Sequence, residues 1–344
     1  MNLFSRYKYF TGLLLGLMIF QSSYADDDNY KLIVDLKGQW KFSIGNREAW
    51  IRNDYDDRSW DEIKVPKNWE EQGFHGYNGY AFYRKKVTIS KDFRGHLYFL
   101  KLGYIDDVDE VYFNGELIGS TGSFPPKYES AYEASRKYYI PENLVTYDEP
   151  NIIAVKVYDN HSKGGIVSGQ IGLYASRAPM PIDIHLSGFW SFNTGDDLTF
   201  KEPDYNDGDW NEILVPSNWE NQGYRDYDGF AWYRKTFRNT NAMRDEKMVV
   251  LLGKIDDIDE VYLNGEFIGS TGNFNNTDRK SSGSDFYDAL RGYIIPKNIL
   301  RRGRNVISVR VYDFRGVGGI YEGPVGIITQ EKYIKYWHKL SSEK

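Results

Sequence analysis

The chain says nearly the same thing twice, the second time about 150 residues after the first. Trp60, Val65-Pro66, Asn68-Trp69-Glu70, Gln72-Gly73, Tyr83-Arg84-Lys85, Ile105-Asp106-Asp107, Asn114-Gly115 and Ser120-Thr121-Gly122 recur as Trp210, Val215-Pro216, Asn218-Trp219-Glu220, Gln222-Gly223, Tyr233-Arg234-Lys235, Ile255-Asp256-Asp257, Asn264-Gly265 and Ser270-Thr271-Gly272, all at an offset of 150. The register then slips, because Arg136 to Pro141 answers Arg291 to Pro296 at 155, and Val157-Tyr158-Asp159 with Gly164-Gly165-Ile166 answers Val311-Tyr312-Asp313 with Gly318-Gly319-Ile320 at 154. Solenoids and propellers repeat every 20 to 50 residues or so, so this period reads as duplication of a whole domain, each copy with its own core.

Within each copy the signals are short strands separated by turns. Leu97 to Leu102 and Val249 to Leu252 read as strands, and Val111 to Ile118 reads as two strands joined by Asn114-Gly115. Asn-Gly is the dipeptide a type I′ hairpin asks for, since both central residues take positive φ. Ile152 to Val157 and Val306 to Val311 alternate apolar with small or basic residues, as a strand half-buried against a second sheet does. The expected fold is all-β, with two tandem antiparallel β-sandwich domains of the jelly-roll type over residues 32–176 and 182–329. Two prolines, Pro179 and Pro181, make the link between them short and stiff. The tail, 330–344, reads as one or two amphipathic turns or as frayed chain.

Residues 1–25 read as a cleaved signal peptide. Arg6 and Lys8 precede an apolar run from Phe10 to Phe20, and Ser23 and Ala25 stand at the −3 and −1 positions. Export to the periplasm or exterior is the expectation. The chain has no cysteine, which removes disulfides, thiol nucleophiles and thiolate metal sites. Its net charge of −6 without a basic cluster argues against nucleic acid or anionic membrane as partner.

The usual catalytic constellations are missing: no Gly-x-Ser-x-Gly elbow, phosphate loop or His-Glu-x-x-His occurs. None of the five histidines (His75, His96, His161, His185, His338) recurs in the other copy. The carboxylates do recur, Asp106, Asp107, Asp109 and Glu110 against Asp256, Asp257, Asp259 and Glu260. On an extended chain Asp107 and Asp109 share one face and Asp106 and Glu110 the other. Such a pair can accept hydrogen bonds from loop amides and from Arg84/Arg234 and Arg136/Arg291, contact a ligand, bind calcium as hard oxygen donors, or act as acid and base on a glycoside. Trp69 and Trp219 follow a strand-ending proline and either cap the sandwich or offer a face to a sugar ring. Asp159 and Asp313 end a strand beside a Gly-Gly-Ile loop, a placement suited to holding sugar hydroxyls.

These ordered motifs resemble the sugar-binding jelly-roll domain of glycoside hydrolase family 2, of the galactose-binding-like fold, and in particular the version carried by bacterial sialate O-acetylesterases. In family 2 β-galactosidases this domain packs on a separate catalytic barrel and lends an aspartate that holds the substrate sugar. Its position resembles Asp159 and Asp313. The matching asparagine after the Trp loop is missing, since the corresponding stretches read Tyr80-Ala81-Phe82-Tyr83 and Phe230-Ala231-Trp232-Tyr233. The resemblance implies the accessory half of such enzymes without the barrel and its two glutamates, and without the Gly-Asp-Ser block of the esterases. The expected function is therefore carbohydrate binding without catalysis, at sites drawn from Asp159, Asp313, Trp69, Trp219, Arg84, Arg234, Asp107, Asp257, Arg136 and Arg291, alone or beside a separate glycan-degrading enzyme. A glycan-acting hydrolase and a structural assembly module are the alternatives.

Overall fold

Both Asn-Gly pairs form the tight hairpins their chemistry demands, with φ of 51° and 87° at Asn114 and Gly115 and 54° and 86° at Asn264 and Gly265. The computed structural model that shows them describes residues 29–240, 246–274 and 286–342, so the segment read as a signal peptide lies outside the described residues. The first copy contributes β1 (Tyr30–Asp35), β2 (Gly38–Ile44), β3 (Asp61–Val65), β4 (Gly79–Thr88), β5 (Tyr98–Asp106), β6 (Val108–Phe113), β7 (Glu116–Thr121), β8 (Ser135–Ile140), β9 (Pro150–Asp159) and β10 (Gly165–Ser176). The second contributes β11 (Ile184–His185), β12 (Gly188–Thr194), β13 (Asn211–Val215), β14 (Gly229–Asn239), β15 (Met248–Asp256), β16 (Ile258–Leu263), β17 (Glu266–Thr271), β18 (Leu290–Ile295), β19 (Gly303–Asp313) and β20 (Gly319–Thr329).

Each copy is an antiparallel sandwich of a four-stranded and a six-stranded sheet. The orders β1-β10-β5-β8 and β3-β2-β4-β9-β6-β7 in the first copy are repeated as β11-β20-β15-β18 and β13-β12-β14-β19-β16-β17 in the second. Strand alternation fills the space between the sheets. Val155 and Val157 of β9 point in with Ala81 and Tyr83 of β4, against Leu100 and Leu102 of β5, and all are fully buried. The second core repeats this with Val309, Val311, Ala231, Tyr233, Val250 and Leu252. Burial of this apolar surface, at about 25 cal/mol per Å², is the main favourable term in folding.

Two departures from the sequence reading are physical. The tail is a helix, α1 (Gln330–Ser342), longer than the one or two turns expected, because it has a surface to dock on. Tyr336 of α1 is buried in a third apolar cluster with Leu97, Phe99 and Tyr139 of the first copy, Val249, Leu251 and Ile328 of the second, and Ala178 and Met180 of the link. The four-stranded sheets thus meet back to back, and the link is packed between them rather than strung across solvent. Met180 N–H also donates to Gly95 C=O at 2.6 Å. Among the described residues no helix is long and apolar enough to cross a membrane.

Candidate functional site

The corner where the chain passes from one sheet to the other gathers the carboxylates. β5 belongs to the four-stranded sheet and ends at Asp106; β6 belongs to the six-stranded sheet and begins at Val108. Asp107 is the bend between them, and the Asp106-Asp107 peptide is cis, as is Asp256-Asp257. Strand alternation does not run through such a corner, so the expected pairing of Asp107 with Asp109 on one face is replaced. Asp106, Asp107 and Asp159 place one carboxylate oxygen each within 4.8 Å of the other two, and Asp256, Asp257 and Asp313 do the same.

Two members of each cluster accept hydrogen bonds from backbone amides. Asp107 accepts from Ser130 Oγ at 2.6 Å and from Asn160 N–H at 3.0 Å, and Asp159 Oδ1 accepts from His161 N–H at 3.0 Å. In the second copy Asp257 accepts from Phe314 N–H at 3.0 Å and Asp313 Oδ1 from Arg315 N–H at 2.9 Å. Asp159 and Asp313 are completely buried, and among the described residues Oδ2 of each has no hydrogen-bond partner. Burial pushes the Asp106 carboxyl up to about 7, helped by its contact with Asp107 and the Asp159 charge. Burial raises Asp159 to about 6, Asp256 to about 8 and Asp313 to about 7. At Asp107 burial also opposes ionisation, but the Ser130 and Tyr128 hydroxyls and the Asn160 amide outweigh it and hold the carboxylate below its ordinary range.

Asp109 and Asp259 take no part in this cluster. Both are fully buried and pair with Arg136 and Arg291 at 2.8 Å, while Tyr138 and Tyr293 donate to the other oxygen. Arg136 Nη2 also donates to Asp107 C=O at 2.9 Å and Arg291 Nη2 to Asp257 C=O at 2.7 Å, so these arginines shape the corner from behind. Arg84 and Arg234, expected beside the same carboxylates, lie elsewhere. Tyr83 points into the core, so alternation sends Arg84 to the outer face of the six-stranded sheet, where it pairs with Asp57 at 2.8 Å; Arg234 pairs with Asp207 at 3.2 Å.

Trp69 and Trp219 are caps. Both rings are fully buried, against Phe42 and Phe192, and offer no face to a sugar. They also fix the glycines of the Gly-Gly-Ile loops: a Cβ on Gly164 would lie 2.2 Å from the Trp69 ring, and one on Gly318 2.1 Å from that of Trp219. Glu70 accepts from Gly164 N–H with both oxygens at 3.1 Å, and Glu220 likewise from Gly318 N–H at 2.9 and 3.0 Å.

Half-buried aromatic rings adjoin the carboxylates, and sequence reasoning passed over them. Tyr80 stacks on Phe124 with centroids 5.8 Å apart and lies 4.8 Å from Tyr158; Tyr128 meets Tyr158 edge-on at 5.6 Å and reaches Asp107 with its hydroxyl. Phe230, Phe274 and Tyr312 repeat the group, with Phe314 against Tyr312 at 4.8 Å. The signal was present in part, since Tyr80, Phe124 and Tyr158 recur as aromatic residues at the offsets of the surrounding motifs, whereas Tyr128 and Phe314 do not recur.

No family model matches the chain. Among curated proteins it is 27% identical over 140 residues to a β-glucuronidase of Formosa agariphila, covering 36% of this chain and 13% of that protein. It is 48% identical over 58 residues to a β-galactosidase of Vibrio vulnificus, covering 15% of this chain and 5% of that one. The chain resembles the sugar-binding domains of glycoside hydrolase family 2. Solved structures similar to it include a β-glucuronidase of Bacteroides uniformis, at 16% identity and TM-score 0.36, over 82% of this chain and 27% of that one. A β-glucuronidase from glycoside hydrolase family 2 is similar at 14% identity and TM-score 0.37, over 83% and 27%. The chain therefore spans about an eighth of the first curated relative it matches and about a quarter of these solved chains.

Proposed function

We propose that this chain is an exported carbohydrate-binding protein without catalysis of its own, holding a glycan at the rim of each sandwich, on its own or in support of a separate glycan-degrading enzyme. The observation that carries the reading is the duplicated rim, where half-buried aromatic rings adjoin fixed carboxylates. A sugar presents C–H faces that pack on aromatic rings and hydroxyls that donate to carboxylates, so a rim of this composition suits it. Relatives named β-glucuronidase and β-galactosidase support the ligand class.

The burial of the carboxylates argues against hydrolysis: a glycosidase presents two carboxyl groups to the scissile bond, whereas Asp159 and Asp313 have no exposed surface.

The test is a glycan array followed by titration calorimetry on the full chain, with aryl β-glucuronides, aryl β-galactosides and O-acetylated sugars as turnover controls. Binding without turnover is expected, and Tyr158→Ala or Tyr312→Ala should weaken it about tenfold, or ~1.4 kcal/mol, for the rim concerned. Turnover by the wild-type chain ends the non-catalytic reading. Retention of full affinity in the double tyrosine variant removes the rim as the site.

A further inference from the structure

The three-aspartate clusters are built more closely than sugar binding requires. Two oxygens bound to one Ca²⁺ at 2.3–2.6 Å stand at most about 5 Å apart, and the 4.8 Å limit within each cluster meets that condition for all three carboxylates at once. The members arrive from separate places in the fold: the end of β5, the corner after it, and the end of β9. Within the first cluster Asp159 is fully buried and its Oδ2 meets no donor among the described residues; within the second, Asp313 Oδ2 is in the same condition. A buried carboxylate oxygen without a partner is costly unless something pairs with it.

The arginine packed behind the corner does not supply that partner. Arg136 gives its Nε to Asp109, its Nη1 to the carbonyls of Ala131 and Ala134 and its Nη2 to that of Asp107, four of its five N–H donors. Arg291 is committed in the same pattern to Asp259, Asp257, Phe286 and Ala289. Three carboxylates whose nearest oxygens lie within 4.8 Å of one another, one of them buried with an unpartnered oxygen, and the adjacent arginine hydrogen-bonded elsewhere, make a donor set for a hard ion. The set occurs twice.

We infer that Asp106, Asp107 and Asp159, and separately Asp256, Asp257 and Asp313, each bind one divalent cation of calcium size. Such an ion ties the sheet-to-sheet corner to the end of β9 (or of β19 in the second copy) and to the glycine loop that follows, and so fixes the rim. The inference does not depend on sugar binding, since the same donors bind calcium whether or not a glycan follows.

Chelator-treated full chain is titrated with calcium chloride at pH 8 by calorimetry, and its melting temperature is recorded with and without calcium. Two equivalents of calcium and an upward shift in melting temperature are expected. Asp159→Asn and Asp313→Asn should each reduce the stoichiometry from two to one, and the double variant should bind none. Removing one of three crowded charges should leave each calcium-free variant at least as stable as the calcium-free wild type. Should either buried variant fail to fold, Asp106→Asn and Asp256→Asn, at less buried positions, carry the same expectation. Absence of heat and of any melting shift at millimolar calcium overturns the inference, as does calcium binding that survives in both double variants.

Discussion

Arg136 meets Asp109 at 2.8 Å in the first copy and Arg291 meets Asp259 at 2.8 Å in the second, and in both a tyrosine joins the aspartate to a threonine, Tyr138 to Thr121 and Tyr293 to Thr271. At the outer rim the same comparison gives differences. Lys156 pairs with Glu110 at 3.0 Å and lies 4.3 Å from the Phe124 ring. Its counterpart Arg310 pairs with Glu260 at 2.9 Å, lies 4.4 Å from the Phe274 ring and also clamps Asp196, where the first copy has the neutral Asn46. A group enclosed on every side has few workable neighbours; one that faces water has many. The copies are therefore alike where they are dry and distinct where they are wet.

The largest expected effect tests the likeness. Arg136→Met leaves Asp109 as an unpaired buried charge and should cost about 3–5 kcal/mol, and Arg291→Met should cost the same. Denaturant unfolding measures both, and a gap well over 1 kcal/mol between them breaks the equivalence. Next is the shared junction: Met180→Ala, which empties a fully buried position, should cost about 2–5 kcal/mol and lower the stability of both copies together. A variant that unfolds in two steps, with one copy unaffected, shows the junction to be less binding than its burial implies. Gly164→Ala and Gly318→Ala drive a methyl into Trp69 and Trp219 and should each cost about 1–3 kcal/mol, a loss that calorimetric melting detects.

The smallest effect belongs to one copy alone. His96 Nδ1–H donates to Ser176 C=O at 2.6 Å, and burial lowers its pKa; the second copy has Glu246 there. A folded-state pKa below the unfolded value means that the neutral ring contributes stability above pH 6.5 or so, lost as pH falls from there through the folded pKa. His96→Gln should flatten the slope of stability against pH between about 7 and 5. An unchanged slope assigns the acid sensitivity to other groups.

Hairpins and strands were readable from residues because their causes are local. Asn114-Gly115 needs only its own φ preference, and Val155 and Val157 need only a period of two. The caps at Trp69 and Trp219 were readable in part, since a proline fixed where the strand ended but nothing local fixed which way the ring turned. The aspartate clusters were not readable, because Asp106 and Asp107 straddle a passage between sheets and the third member enters from a strand more than 50 residues away. Helix α1 was obscured for a similar reason: its stability comes from Tyr336 in a cluster shared by both copies, which no window of the tail contains.

That shared cluster changes what two binding sites can mean. Domains on a loose tether search for a second epitope, and their gain falls off gradually as epitopes move apart. Here Leu97, Phe99, Val249, Leu251 and Met180 are locked in one apolar seam, so the rims stand at a set separation and angle. On the proposed function, a polymer whose repeating units match that separation engages both rims at little further entropic cost, and one that does not match engages a single rim. Glycan binding at both rims would then make the two sandwiches a gauge of spacing along the polymer.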